Sequence, residues 1–425
     1  MTTDLRDKLR QLGMTKGMAK EAAKAKPPDQ PRRRSSIESL VDGQEVESAL
    51  GRAFVVQERY ALDHQHGNAP LAWLLKQQAD VAAQLGREPR LAQVDLSRVV
   101  LLDTETTGLS GGTGTLAFLV GLGTFEQQGR KSSRGLAFQL RQFFLRDPDE
   151  EAAMLCALSD VMQDRQAIVT FNGRGFDLPL LQTRYTLARL RPEWLGLPHL
   201  DLLAPARRVW RERLISCALS SLELNVLGVR RTQDDVPGFV IPQMYQQYLL
   251  TGDAHDMLRV MYHNRQDVLS MVTLATQLCR MFSDPLDDEE LDLADLVSLG
   301  HWYDDLGLTE QAERAFRAVL EREAHAPALA HLGRLLKRQE RREEAIAIWQ
   351  QLAASDASDV TAHIELAKHY EWHAGDIEQA SAWTQVALDM VAGWPSGLTR
   401  DQIQAELEHR LERLERKVSL QKHSA

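Results

Sequence analysis

"VVLLDTETTG", residues 99–108, carries an apolar strand into two carboxylates, Asp103 and Glu105, set two positions apart. Side chains alternate faces along a strand, so both acids project from the same side. Two carboxylates that close repel, and each raises the other's pKa unless a cation sits between them. Hard divalent ions take oxygen ligands of this kind. Acids where a strand leaves its sheet are also common turn formers, so the pair acquires meaning only from the rest of the chain.

From Val99 to about Phe282 strand and helix patterns alternate. "TLAFLVGLGTFE" and "GLAFQLRQFFL", joined by polar "QQGRKSSRG", read as an antiparallel hairpin. "DPDEEAAMLCALSDVM" opens acidic, as the helix dipole favours, and "AIVTFN" is the next strand. "FDLPLLQTRYTLARL" and "SCALSSLELNVLG" read as helices, and residues 255–282 form a long closing helix. Strands first, then mixed strands and helices, predict an α/β domain: a mixed sheet flanked by helices. Residues 37–98 precede it as an extension packed on that domain. Within them, His64 and His66 of "DHQHG" are either metal ligands or a polar turn.

At 425 residues the chain is too long for one ordinary core. Its most apolar stretch, "TLAFLVGLGTF", is about half the ~18 residues of a membrane span. No signal-peptide pattern opens it, and Cys156, Cys217 and Cys279 lie far apart without a CxxC. A reducing cytoplasm is therefore expected. Net charge is −10, yet residues 1–34 hold 10 Lys/Arg and 4 Asp/Glu, a net of +6, which leaves −16 on the remainder. The basic tail, residues 1–36, is expected to be disordered; it either touches phosphate or is simply a soluble terminus.

Two further features join Asp103 and Glu105. "FNGRGFDLPLL", 171–181, puts Asn172, Phe176 and Asp177 where a strand passes into a helix, although Asp177 could be only a cap. "YHNRQDVLSM", 262–271, puts Asp267 among Met261, Val268, Leu269 and Met271 on a long helix. A buried Asp there is costly unless it is paired or metal-bound; an exposed one on the polar face needs no explanation.

Taken in order, "DTE", "NGRGFD" and Asp267 resemble the DEDD exonucleases of the ribonuclease H-like superfamily. The wording of 201–269, including "DDVPGFVIPQMYQQYLLTGD" and "HNRQDVLSM", is similar to the bacterial YprB-like branch. The resemblance implies a ribonuclease H-like domain over 99–282 that hydrolyses phosphodiester bonds from the 3′ end of single-stranded DNA or RNA. It implies that Asp103, Glu105, Asp177 and Asp267 hold two Mg²⁺ or Mn²⁺ ions ~4 Å apart. The superfamily places a Tyr four or a His five residues before the last Asp. Here His263 stands at minus four and Tyr262 at minus five, so the two types are exchanged. One helical turn puts His263 over Asp267 and rotates Tyr262 away by ~100°, making His263 the candidate base for the attacking water. Asn172 and Phe176 would shape the terminal nucleotide's pocket, and the backbone at Thr106 and Thr107 would meet its sugar. "TGLSGGTGT", 107–115, lacks the GK[ST] ending of a phosphate loop and leads into a strand, so a rim of the site suits it better.

After an acidic linker at 283–295, a repeat begins. Leu299-Gly300 returns as Leu332-Gly333, Ala312 as Ala345 and Phe316 as Trp349, each 33 residues on. A looser third copy holds Leu366-Ala367, Tyr370, Ala380 and Ala387. This resembles the tetratricopeptide repeat, over 296–418 with "RDQIQAELEHRLERLERKV" as capping helix. Such repeats offer a groove to a protein partner. The competing reading is accordingly an inert nuclease-like scaffold that acts through its repeats, and a structure-selective endonuclease is a third.

Overall fold

A computed structural model describes residues 34–108, 113–127, 135–232, 235–286, 291–355 and 359–424. Nearly all of the basic tail, and residues 109–112 of the Gly-rich loop, lie outside the described residues.

Seven strands form one sheet: β1 (Gly43–Ser48), β2 (Gly51–Tyr60), β3 (Val99–Thr106), β4 (Ala117–Gln127), β5 (Leu136–Phe144), β6 (Ala167–Thr170) and β7 (His199–Asp201). Their order is β1-β2-β5-β4-β3-β6-β7. β4 and β5 are antiparallel neighbours, as their hairpin pattern predicts. β3 is antiparallel to β4 but parallel to β6. Residues 37–98, expected as an extension on the domain, instead donate β1 and β2 to the sheet itself, with β2 pairing β5. All four residues of "AFVV", Ala53–Val56, are buried, which is why the sheet begins well before Val99.

The helices are α1 (Ala79–Gly86), α2 (Glu151–Met162), α3 (Asp177–Leu187), α4 (Leu203–Trp210), α5 (Leu219–Leu222), α6 (Ile241–Thr251), α7 (His255–Ser283), α8 (Leu293–Asp305), α9 (Thr309–Arg322), α10 (Ala326–Arg338), α11 (Arg342–Ser355), α12 (Val360–His369), α13 (Ile377–Ala392) and α14 (Leu398–Ser424). The expected helix through "SCALSSLELNVLG" is only the short α5, which widens into a π turn at Glu223–Leu227. The Leu227 carbonyl there accepts from the Asn68 backbone and Gly228 turns left-handed, ending the helix. Among the described residues no helix is long and apolar enough to cross a membrane.

Strand alternation sorts the core. Val100, Leu102 and Ile168 face one cluster with α2, α3 and α6. Val99, Leu101 and Val169 face the other, with α1 and α4. The long α7 serves both, giving Met257, Val260 and Met261 to the first cluster and Val268, Leu269 and Val272 to the second. This second cluster continues without a break into α8–α12. The all-helical region is thus fused to the sheet domain through a common core. Its 33-residue spacing is visible in the packing. A Cβ on Gly300 would meet the Phe316 ring at 2.6 Å, and one on Gly333 the Trp349 ring at 2.8 Å.

Candidate active site

Parallel strands deliver their carboxyl ends to the same edge of a sheet. β3 and β6 are adjacent and parallel, so the residues leaving them meet: Asp103 and Glu105 from β3, Asn172 and Asp177 beyond β6. α7 lies over that edge and lowers Asn264 and Asp267 onto it. Asn264 is fully buried; its Nδ2 donates to Asp103 Oδ2 at 2.8 Å and its Oδ1 accepts from Gln142 Nε2 at 2.8 Å. Gly121, paired with Asp103 across the ladder, makes the space, because a Cβ there would stand 2.4 Å from Asn264 Oδ1.

The carboxyls feel one another. Asp103 is held well above the ordinary carboxylate range by burial first, then by the charges of Asp267 and Asp177. Glu105 is raised likewise, by burial and then by Asp103, Asp267 and Asp177. Burial also pushes Asp177 up to about 6, against the pull of the Thr104 hydroxyl that donates to its Oδ1. Thr104 points to the opposite face from Asp103 and Glu105. Asp177 is the first residue of α3 and comes near enough for its charge to act on both Asp103 and Glu105.

His263 and Asp267 are stacked one turn apart, with Nε2 3.6 Å from Asp267 Oδ2. His263 Nδ1 lies 2.8 Å from Asp235 Oδ1 and 3.1 Å from Arg231 Nη1. A carboxylate only accepts and a guanidinium only donates, so Nδ1 donates to Asp235 when it carries the proton and accepts from Arg231 when it does not. Tyr262 is turned elsewhere, its hydroxyl accepting from the Thr232 backbone at 3.0 Å.

Beside these groups opens a cavity of about 920 Å³, lined by Asn172, Arg207, Arg211, Arg231, His263 and Asp267 among others. Asn172 reaches it on a left-handed backbone, φ 68°, with its N–H donating to Asp201 Oδ1 at 2.8 Å. Phe176 is half-buried before α3 and stands outside that lining. Thr106 Oγ1 donates to the Gly108 carbonyl, and both the Thr107 N–H and its Oγ1 pair with the Leu116 backbone. The Thr107 donor expected to meet a sugar is therefore already used. "DHQHG" does form a turn, Gly67–Asn68 between the paired Gln65–His66 and Ala69–Pro70, but His66 itself is buried, 2.8 Å from Ser270 Oγ, and braces Glu223 from behind.

The residues that sequence reasoning passed over are Arg231, Glu223, Asp235 and Asn264. Arg231 donates to Asp267 Oδ1 and, through Nε and Nη2, to Glu223 at 2.6 and 2.7 Å. Only Asn264 left a sequence signal: the glycines Gly121 and Gly123 in the middle of the apolar β4.

The donor set suits a hard divalent cation. Four carboxyls share one strand end, and two of them, Glu105 and Asp177, are buried without a cationic partner among the described residues. Even so, no three Asp, Glu, His or Cys side chains among the described residues form a ready cage for one ion. The reason is local. Asp103 is drawn to Asn264, Asp177 to Thr104 and Asp267 to Arg231.

Comparison with known proteins places this site in a family. Residues 100–279, which include β3, α7 and the four carboxyls, match the RNase H superfamily. YprB of Bacillus subtilis (strain 168), an uncharacterized protein, is 30% identical over 369 residues, covering 85% of each chain. Among solved structures, PcrH from Pseudomonas aeruginosa aligns over 29% of this chain and 90% of its own at 20% identity and TM-score 0.26. The MamA RS-1 ArsTM double mutant aligns over 41% and 92%, also at 20% identity, with TM-score 0.24. Likeness that low bears on neither fold nor function. The match to YprB runs nearly end to end, and with the sheet and its acidic edge it makes this chain a member of the YprB family within the RNase H superfamily.

Proposed function

We propose that the chain is a divalent-metal-dependent nuclease that trims single-stranded DNA or RNA from the 3′ end. The observation that carries this reading is the meeting of half-buried Asp103 and buried Glu105, both on one face at the end of β3, with Asp267 and Asp177, a crowding that holds the first two above their ordinary pKa. Crowded carboxyls of this kind cluster at functional sites, where a bound cation relieves their repulsion.

Mg²⁺ or Mn²⁺, when bound, would lower the pKa of a water and stabilise the leaving 3′ oxygen. Asp103, Glu105, Asp177 and Asp267 would hold it. Asn264 fixes the Asp103 carboxylate through its amide. Asp235 holds His263 by Nδ1, so that Nε2 accepts the proton of the attacking water, the same division of labour as in an Asp-His pair of a hydrolase. Arg207 and Arg211 supply positive charge along the cavity wall, which suits a phosphate backbone on an otherwise acidic body. Asn172 faces the same space and is our candidate contact to the terminal nucleotide. We read the paired helices after Leu293 as tetratricopeptide repeats with a groove for a partner peptide.

The test uses single strands labelled at the 3′ or 5′ end, incubated with purified protein and Mn²⁺ or EDTA. Stepwise loss from the 3′ end is expected, with Asp103→Ala reducing the rate about 10³-fold or more. One internal cut would mean an endonuclease. No metal-dependent cleavage would leave the scaffold reading in its place.

A further inference from the structure

Arg231 is built into the acidic edge with more care than a surface ion pair receives. Its side chain is 9% exposed, and its Nε and Nη2 grip Glu223, itself 2% exposed. Glu223 sits on the π turn, where Ser270 Oγ donates to it at 2.5 Å, and His66 Nε2 backs Ser270 at 2.8 Å. Nη1 lies 3.3 Å from Asp235 Oδ1, and Nη2 donates to Asp267 Oδ1. Residues from the hairpin at 65–70, the π turn, the 230s loop and α7 therefore converge on one guanidinium. A guanidinium stays protonated at every working pH. Swinging it out to admit another cation would leave Glu223 as an uncompensated buried charge, which is strongly unfavourable.

The negative charge of the site is consequently met unevenly. Asp267 has Arg231 on one oxygen and His263 3.6 Å from the other. Asp103 has only the neutral amide of Asn264, and among the described residues Glu105 accepts from no side chain. Asp177 has only the neutral Thr104 hydroxyl, so the unmet charge lies on it and on the two acids that share one face of β3.

We propose that Arg231 is a permanent cation of this site, standing in place of a second metal ion, so that the protein takes one divalent ion on the Asp103 and Glu105 side. The inference rests on the nuclease reading above. In that reaction the water oxygen bonds to phosphorus, its proton passes to His263, and the bond to the 3′ oxygen breaks, that oxygen leaving with the electron pair and taking a proton from solvent. Arg231 lines the same cavity, and its fixed positive charge favours the phosphate as negative charge builds there.

The experiment counts Mn²⁺ bound to the metal-free full-length chain by calorimetry and by electron paramagnetic resonance of free Mn²⁺. One ion per chain is expected, lost in Asp103→Ala. The double variant Arg231→Met/Glu223→Gln removes both charges together, so no lone buried ion threatens the fold, and it should bind two. Two ions in the wild type would overturn the proposal and leave the nuclease reading standing. No Mn²⁺ bound at millimolar concentration would overturn both. A folded double variant that still binds one ion would also overturn it, because Arg231 would not be what excludes the second. If that variant fails to fold, the wild-type count alone decides.

Discussion

Asp103 lies at the meeting of three influences: burial, the charges of Asp267 and Asp177, and the amide of Asn264. The first two make its ionised form a burden on the metal-free protein. Asp103→Asn keeps the shape and removes the charge. At pH 8 without divalent ions this variant should melt higher than wild type by about 2 °C or more while losing activity. A lower melting temperature would mean that the carboxylate is a structural partner and not a ligand in waiting. His66 gives a second handle at this scale. Burial first, then His64 and Arg231, bring its pKa down to about 4. The unfolded chain takes up that proton near pH 6.5 and the native one does not, so stability is complete above 6.5 and falls towards pH 4. The loss due to this group is about 3 kcal/mol by pH 4. His66→Gln retains a donor for Ser270 and should flatten the acid limb of a denaturation-against-pH curve by a comparable amount; an unchanged limb would refute the assignment.

Among the elements, α7 decides the site because it spans both cores and aims one polar stretch at the end of β3. The decisive fit is Gly121 under Asn264. In Gly121→Ala the new Cβ has 2.4 Å to Asn264 Oδ1, and that amide is already fixed by Gln142. Overpacking of this kind costs about 1–3 kcal/mol, and activity should fall about tenfold or more as Asn264 leaves Asp103. Gly123→Ala is the matched control. Its Cβ would crowd Phe138 at 2.4 Å and Val268 at 2.7 Å, so it should destabilise to a similar degree yet leave activity of the folded protein near wild type. Equal losses of activity in both variants would reduce Asn264 to a packing residue. The strand pattern alone shows two glycines, Gly121 and Gly123, without distinguishing them. Which one faces the site depends on the helix laid across them.

At the scale of the whole molecule, the sheet and the helical region share one core. Phe282 at the end of α7 packs on Trp302 and Tyr303 with ring centroids 5.0 and 4.9 Å apart, and the Tyr303 hydroxyl donates to the Phe282 carbonyl at 2.6 Å. Arg213 clamps Asp295 with bonds of 2.9 and 2.8 Å, although Asp295 belongs to an acidic run that reads as a linker. Asp295 is 2% exposed, so Arg213→Ala strands a buried charge at a cost of about 3–5 kcal/mol. Because the core is continuous, thermal unfolding of this variant should remain a single transition at lower temperature, followed by circular dichroism and tryptophan fluorescence together. Two separated transitions would show that the halves fold independently.

By itself, the amino-acid order determined whatever depends on spacing within one element. Asp103 and Glu105 share a face because strands repeat every two residues, His263 covers Asp267 because helices turn in about four, and Gly300 and Gly333 recur with their aromatic partners. Only the tertiary structure decided what fills the space between elements: Arg231 on Asp267, Asn264 on Asp103, and Thr104 on Asp177. Asn264 and Asp103 are 161 residues apart in the chain. No periodicity relates positions so distant. Their meeting follows from the parallel exit of β3 and β6 and from the single way α7 can bury its apolar residues against both faces of the sheet.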